Sequence, residues 1–235
     1  MSIFKFKYFD IKQIDVPMKF GTDTMVLGSI IDTSGKFSAL DIGAGSGVLS
    51  LMCAQKNINL KIDAIELDKK ASKECRYNFN KSNFPNEFNS IHMNFLNFNT
   101  DKKYDLIISN PPFYESNMEN NDKRKSNARH QKSLPKKIIL EKTASLLLDQ
   151  GHFWIIVPYQ NVQEWINEAT KNNFKLNHQT NIIGKEGGGY IRSILSFSMK
   201  YNTSVMRELT IRDRFNNYTK EYIYLTKEFH FKNLG

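Results

Sequence analysis

The tetrapeptide Asn110-Pro-Pro-Phe113 closes an apolar run, Tyr104-Asp-Leu-Ile-Ile-Ser109. An amide, two prolines and an aromatic ring at the mouth of a strand make a rigid rim. Each proline fixes φ near about −65° and carries no backbone N–H. The rim offers the Asn110 amide oxygen, the Pro111 carbonyl and the flat face of Phe113. Its carbonyls can accept from a substrate NH2 with no amide donor competing beside them. Methyl transfer to an exocyclic amino group on a planar substrate needs such a rim. Asn110, Pro111, Pro112 and Phe113 are therefore the candidate catalytic group. The competing reading is a strand-ending turn, which Asn-Pro commonly starts. For Phe113 alone, the competing role is a core aromatic.

A second motif lies upstream. Ser38-Ala-Leu-Asp-Ile42 reads as a short strand, Gly43-Ala-Gly45-Ser-Gly47 as a turn, and Val48 to Ala54 as a helix. Glycines there let the backbone approach a ligand and place it at a helix N-terminus. The dinucleotide spacing G-x-G-x-x-G is not met. The third glycine comes one residue early and Val48 follows it. Lys61-Ile-Asp-Ala-Ile-Glu66 reads as a second strand ending in an acid, about twenty residues beyond the glycines, where a carboxylate can hold both ribose hydroxyls. Asp41, Gly43, Gly45, Gly47 and Glu66 form the candidate cofactor set, and Asn110 is counted as a cofactor contact as well as a catalytic residue. Asp-x-Gly-x-Gly-x-Gly followed by Glu-x-Asp resembles the S-adenosylmethionine (AdoMet) site of class I methyltransferases. The competing reading is a tight packing turn.

These residues need a scaffold. Apolar periods predict strands near 38–42, 61–66, 89–93, 104–109, 151–157, 176–183 and 191–199, with helices near 22–32, 47–56, 68–82, 136–148 and 160–172. Strands alternating with helices predict an α/β, doubly wound, mostly parallel sheet of seven strands. Only Gly184 to Gly189 separates the last two strands, too little for a crossover helix. They should pair antiparallel, with Gly187-Gly-Gly189 as the hairpin turn. We expect a single domain over 1–235: an extension at 1–37, a Rossmann-like core at 38–200 and a tail at 201–235. The tail carries Tyr218, Tyr222, Tyr224 and Phe229, and packing back or touching substrate are both open to it. The stretch 114–134 is polar, charged and free of glycine, and a loop that long is usually functional or disordered.

The chain has 235 residues, 40% of them hydrophobic, and a net charge of +9. That supports a sizeable core and points to a polyanionic partner. Distribution says more than the total. From Lys123 to Lys137 there are seven basic residues and no acid. Lys5, Lys7, Lys12 and Lys19 add a basic N-terminal arm, whereas Asp63, Glu66 and Asp68 sit by the cofactor unit. Basic residues clustered beside the reactive tetrapeptide favour nucleic acid over a merely solvated lysine surface. No stretch approaches the roughly 18 apolar residues of a membrane span. The N-terminus lacks a signal peptide's apolar block, so a cytoplasmic protein is expected. Cys53 and Cys75 read as core thiols, and the five histidines have no metal-ligand spacing. No metal is expected, and a monomer is.

Together the motifs resemble the bacterial tRNA1(Val) (adenine(37)-N6)-methyltransferase family over nearly the whole length. The resemblance rests on Phe4-Lys-Phe6-Lys-Tyr-Phe9, Met18-Lys-Phe-Gly-Thr-Asp23, Leu27-Gly28, Leu40 to Gly47, and Asn110-Pro-Pro-Phe-Tyr114. Arg129-His130 and Tyr218-Thr-Lys-Glu-Tyr222 also fit. Met-Lys-x-Gly-Thr-Asp combined with Asn-Pro-Pro-Phe is the specific part. The resemblance implies a class I methyltransferase fold with an antiparallel last strand, AdoMet as cofactor, and tRNA as partner. Many class I relatives carry Asp at the end of the third core strand, against the cofactor's adenine. Here Asn94 stands there, and its carbonyl oxygen can accept in the same way.

The implied chemistry is transfer of the activated methyl to adenine N6. Asn110 and the Pro111 carbonyl accept from the amine and stabilise the charge that develops on it. Phe113 stacks on a base taken out of its stack. Thr22 and Asp23 either contact AdoMet or cap the following helix. Lys5, Lys7, Lys19, Arg124, Arg129 and His130 are candidates for holding phosphates. Tyr114 joins the substrate-binding candidates, with packing as its competing role. Two other functions compete. A protein-glutamine N5-methyltransferase carries Asn-Pro-Pro-Tyr, where this chain has Phe and a basic flank. A catalytically silent RNA-binding module on the same fold is opposed by the intact Asn110 and glycine turn.

Overall fold

The computed structural model describes residues 3–111, 135–200 and 203–232. Its centre is an eight-stranded sheet. The strands are β3 (Ser38–Ile42), β4 (Lys61–Glu66), β5 (Phe88–His92), β6 (Tyr104–Ser109), β7 (Leu147–Pro158), β8 (Lys175–Lys185), β9 (Tyr190–Ser198) and β10 (Val205–Arg212). Their order is β10-β8-β9-β7-β6-β3-β4-β5. A two-stranded antiparallel ribbon, β1 (Ile3–Lys5) with β2 (Asp10–Lys12), precedes it. The described helices are α1 (Thr22–Ile30), α2 (Val48–Lys56), α3 (Lys69–Lys81), α4 (Lys136–Leu146), α5 (Val162–Lys171) and α6 (Lys220–Thr226).

In the sheet β9 alone runs against its neighbours, antiparallel to β7 and to β8. The expected hairpin at Gly187 is present, with that residue at φ 82° and the Gly188 amide donating to the Lys185 carbonyl. The seven expected strands are there within a few residues, apart from β7, which starts at Leu147 rather than near 151. The eighth strand is new. β10 pairs parallel with β8 at the sheet edge. Only Leu209 and Ile211 turn inward from it, and its first four residues are exposed. Charged residues such as Arg207 and Glu208 blunt an edge, and they also hide the period-two pattern. The tail packs back: Tyr222 and Phe229 are buried, while Tyr224 is exposed.

Both faces of the sheet are covered, as a parallel sheet requires. Ala39, Leu106, Ile108, Trp154 and Ile156 face one core with residues of α1, α2, α3 and the ribbon. Leu40, Ile42, Ile107, Phe153 and Ile155 face the other, with Ile139, Leu140 and Trp165. The N-terminal aromatics enter the first core. Phe6 stacks on Phe9 at 4.3 Å, Phe4 meets Phe6 and Phe20 edge-on, and Phe20 lies tilted against Phe6. Cys53 and Cys75 are buried thiols.

Topology sets where a ligand can bind. From β3 the chain runs outward through β4 to β5, then returns to β6 on the other side of β3. Such a reversal opens a crevice beyond the carboxyl ends of the two central strands. Ile42 is paired with Ser109 there, and the Ser109 hydroxyl donates to the Ile42 carbonyl at 2.9 Å. The glycine turn and Asn110 therefore leave adjacent strand ends, although 60-odd positions separate them in sequence.

Candidate active site

The turn after β3 is built from glycines in the left-handed region. Gly43, Gly45 and Gly47 have φ of 73°, 56° and 80°. Gly43 and Ala44 both donate to the Ile65 carbonyl, at 2.9 and 3.0 Å, which folds the turn over the end of β4. Gly47 is held by space as well. A Cβ there would meet Phe79 at 2.7 Å and the Cys75 sulfur at 2.8 Å. The start of α2 thus lies directly against α3. At Gly43 and Gly45 nothing stands within 4 Å of a built Cβ, so the turn presents bare backbone outward.

Glu66 organises this turn. Its Oε2 accepts from the Gly45 amide and its Oε1 from the Asp68 amide, both at 2.8 Å. The carboxylate stands between the glycine turn and the start of α3, which Asp68 caps by accepting from Lys70 and Ala71. Asp41 lies beneath the turn rather than on its surface. It is 1% exposed, and its Oδ2 accepts from the Ser50 hydroxyl at 2.7 Å. Its Oδ1 is buried without a protein partner. Burial raises the Asp41 carboxyl to about 7; the Ser50 hydrogen bond opposes the shift and the nearby Glu66 charge adds to it.

That shift has a definite sign for stability. The unfolded chain loses the Asp41 proton near its ordinary value of 3.8, whereas the folded chain keeps it to about 7. Between these limits the folded state binds more protons, so stability falls as pH rises and levels off above about 7. Asp41→Asn removes the titration. The variant is expected to lose this component of the fall in melting temperature between pH 4 and 7, measured by calorimetry in parallel with the parent. Equal slopes for both proteins would show that Asp41 ionises normally.

Asn94 ends the loop after β5. Its Oδ1, the atom expected to face the cofactor's adenine, accepts from the Leu96 amide at 2.9 Å and caps the turn Phe95–Asn97. One lone pair of that oxygen is thus engaged locally. Thr22 is the first residue of α1 and half-buried. Neither it nor Asp23 caps the helix. Gly21 occupies that position with no side-chain bond, and Asp23 accepts from Arg192 of β9 at 3.2 Å.

Asn110 follows β6 and is half-buried. Its Nδ2 donates to the Thr24 hydroxyl at 2.9 Å. Pro111 is the last described residue of this segment. Pro112, Phe113, Tyr114, Arg124, Arg129 and His130 lie outside the described residues. Of the N-terminal lysines, Lys5 and Lys19 are exposed. Lys7 is not brought to the crevice. It pairs with Glu228 at 2.8 Å, and the Glu228 carbonyl accepts from Gln55, at the end of α2 away from the glycine turn.

Glu74 and Asn78 were not among the expected site residues. Both are buried on the inner face of α3. The Glu74 carboxylate accepts from the Ile14 and Asp15 amides at 3.0 and 3.1 Å. The Asn78 amide donates to the carbonyls of Lys12 and Ser46 and accepts from the Lys12 amide, each at 2.9 Å. Together they strap the N-terminal segment against the glycine turn. Two polar residues four apart, beside buried Ala71, Cys75 and Phe79, were the available signal. Two hollows of about 460 and 650 Å³ lie elsewhere, and neither includes the glycine turn or Asn110.

An open glycine turn over a paired acid, set at the reversal point of a doubly wound sheet, defines a class I AdoMet-dependent methyltransferase. Solved structures share the fold. A methyltransferase from Pyrococcus furiosus matches with a TM-score of 0.59 and 18% identity, over 82% of this chain and 90% of that one. The ribosomal protein L11 methylase of Lactobacillus delbrueckii matches at 0.53 and 17%, over 77% and 81%. The family model described as "Methyltransferase small domain" covers residues 17–181. Curated relatives named tRNA1(Val) (adenine(37)-N6)-methyltransferase match nearly end to end. That of Flavobacterium johnsoniae is 36% identical, over 98% of this chain and all of its own length. That of Pseudoalteromonas translucida is 34% identical, over 99% and 100%. The chain belongs to the methyltransferase small domain family and, within it, to the tRNA1(Val) (adenine(37)-N6)-methyltransferase family. AdoMet is the cofactor of this family and fold. The residues present fit it: bare backbone at Gly43 and Gly45, an acid at Glu66, and the buried, unpartnered Oδ1 of Asp41.

Proposed function

We propose that this protein methylates the exocyclic N6 of an adenine in a tRNA anticodon loop, adenine 37 of tRNA1(Val) by the name its relatives carry. The observation that carries the reading is the placement of Asn110 at the strand end beside the glycine turn. AdoMet supplies a methyl already activated by its sulfonium. Gly43, Gly45 and Gly47 would admit it, Glu66 would hold its ribose, and Asn94 and Thr22 would line its edges. Asn110 Oδ1 and the Pro111 carbonyl would accept from the adenine NH2, drawing its lone pair out of the ring and stabilising the developing charge. Pro112 would stiffen that rim and Phe113 would stack on the flipped base. No general base is required, since a methylated ammonium is acidic enough to lose its proton to water.

The whole chain is read as one working unit, monomeric and cytoplasmic, that needs no metal. Among the described residues no helix is long and apolar enough to cross a membrane. Lys5, Lys19, Arg124, Arg129 and His130, with the other basic residues of 123–137, are read as phosphate contacts, and Tyr114 as a neighbour of the base. Lys7 enters that set only if its pair with Glu228 opens. Phosphate contacts release counterions, so tRNA affinity should fall steeply with salt. Neutralising Lys123, Arg124 and Arg129 together should flatten the plot of log affinity against log salt, by about 0.7–0.9 for each phosphate no longer neutralised. An unchanged slope and affinity would make the segment a solvated loop. The reading itself is tested by offering unmodified tRNA and a glutamine-bearing protein substrate side by side with tritiated AdoMet. Label in the tRNA supports it; label in the protein alone replaces it with glutamine methylation.

A further inference from the structure

We propose that Thr24 is a positioning residue for methyl transfer, holding the Asn110 amide with its oxygen turned toward the incoming amine. The inference rests on the role given to Asn110 above. An asparagine amide has two ends of nearly equal shape and opposite chemistry: the oxygen accepts and the NH2 donates. The substrate is itself an amine. An amide turned the wrong way would set donors against donors. The terminal torsion of asparagine is broad and roughly two-fold, so its own rotamer preference does not choose. With the amine in front fixing the oxygen forward, a partner behind the amide must satisfy the NH2 end that is turned away.

Thr24 is that partner. Its hydroxyl oxygen lies 2.9 Å from Asn110 Nδ2, across 86 positions of sequence. Thr24 is 3% exposed, so its hydroxyl end of this part-buried contact is shielded from water. Its β-branched side chain has few rotamers. The helix that carries it is fixed at both ends. Next to Thr24, Asp23 pairs with Arg192 of β9. At the far end of α1, the Lys56 ammonium of α2 donates to the carbonyls of Gly28, Ser29 and Ile31. The hydroxyl can accept or donate. With an amine in front, the amide oxygen must face forward, and Thr24 takes the rear N–H. Remove the hydroxyl, and the productive orientation buries an NH2 without a partner.

Thr24→Val keeps the shape and removes the hydroxyl. It should lower kcat for tRNA methylation about tenfold, equivalent to about 1.4 kcal/mol. The tRNA KM and the AdoMet affinity should be little changed, because the contact matters at the transfer step, and the melting temperature should fall by only about 2–4 °C, the cost of one hydrogen bond. Thr24→Ser restores the hydroxyl and should recover most of the rate. Asn110→Ala is measured alongside. If Asn110→Ala is inactive but Thr24→Val turns over like the parent, the positioning role is overturned while the reading of Asn110 stands. If Thr24→Val and Thr24→Ser both lose AdoMet affinity and melting temperature with the rate, Thr24 is only a packing residue and the proposal fails. If Asn110→Ala itself is active, the failure belongs to the catalytic reading.

Discussion

Asn110→Ala is expected to lower methyl-transfer turnover by about a hundredfold or more, the usual loss for one preorganised group at a charge-developing centre. The side chain sits where β6 ends, in register with the end of β3 and the glycine turn. It is half-buried, and its described hydrogen bond is the one to Thr24. Removing it leaves the Thr24 hydroxyl without that partner, which costs about 1 kcal/mol of stability. The fold and the AdoMet site should therefore survive. The separation is what makes the variant informative: turnover falls while AdoMet affinity, read by calorimetry, stays near the parent's. Near-parental turnover in the tritium-transfer assay would remove Asn110 from the mechanism. Loss of AdoMet binding with the rate would make it part of the cofactor wall instead.

Glu66→Ala should give the opposite pattern, a loss of AdoMet affinity by about tenfold to a hundredfold. Hydrogen bonds to a charged group contribute about 1.5–3 kcal/mol each. Two such bonds are already in place, from Gly45 and Asp68. The carboxylate thus acts twice, bracing the glycine turn and offering its remaining lone pairs to ribose hydroxyls. Alanine removes both. Glu66→Gln retains one acceptor oxygen and should fall between alanine and the parent. At saturating AdoMet the alanine variant should regain much of its turnover, because its defect is in binding. An AdoMet affinity unchanged in calorimetry would mean that the acid ending β4 does not hold the cofactor.

These two residues were legible in the sequence because each closes a contiguous pattern. Asn110 ends an apolar strand and Glu66 ends another, and strand ends are where ligands meet a doubly wound sheet. The glycine turn was legible for the same local reason. Thr24, Glu74, Asn78 and Arg192 were not. Each acts through a partner 60 or more positions away, such as Ile14 for Glu74 or Asn110 for Thr24. Pattern reading along a chain does not see such pairs. The eighth strand was hidden differently: β10 carries inward apolar residues only at Leu209 and Ile211, after an exposed run of two apolar and two charged residues, Val205 to Glu208. Lys7 shows the converse limit. Its place in the basic N-terminal arm suggested phosphate contact, and pairing with Glu228, 221 positions away, is not visible from that arm.

The most direct test is nucleoside mass spectrometry of tRNA1(Val) transcript after incubation with the protein and AdoMet, with fragment mapping of the modified position. N6-methyladenosine in the anticodon loop is the predicted product, lost when AdoMet is omitted or when Asn110 is alanine. Methyl groups on another atom of the base or on another nucleotide, or an unmodified transcript while a glutamine-bearing protein substrate is labelled, would contradict the account.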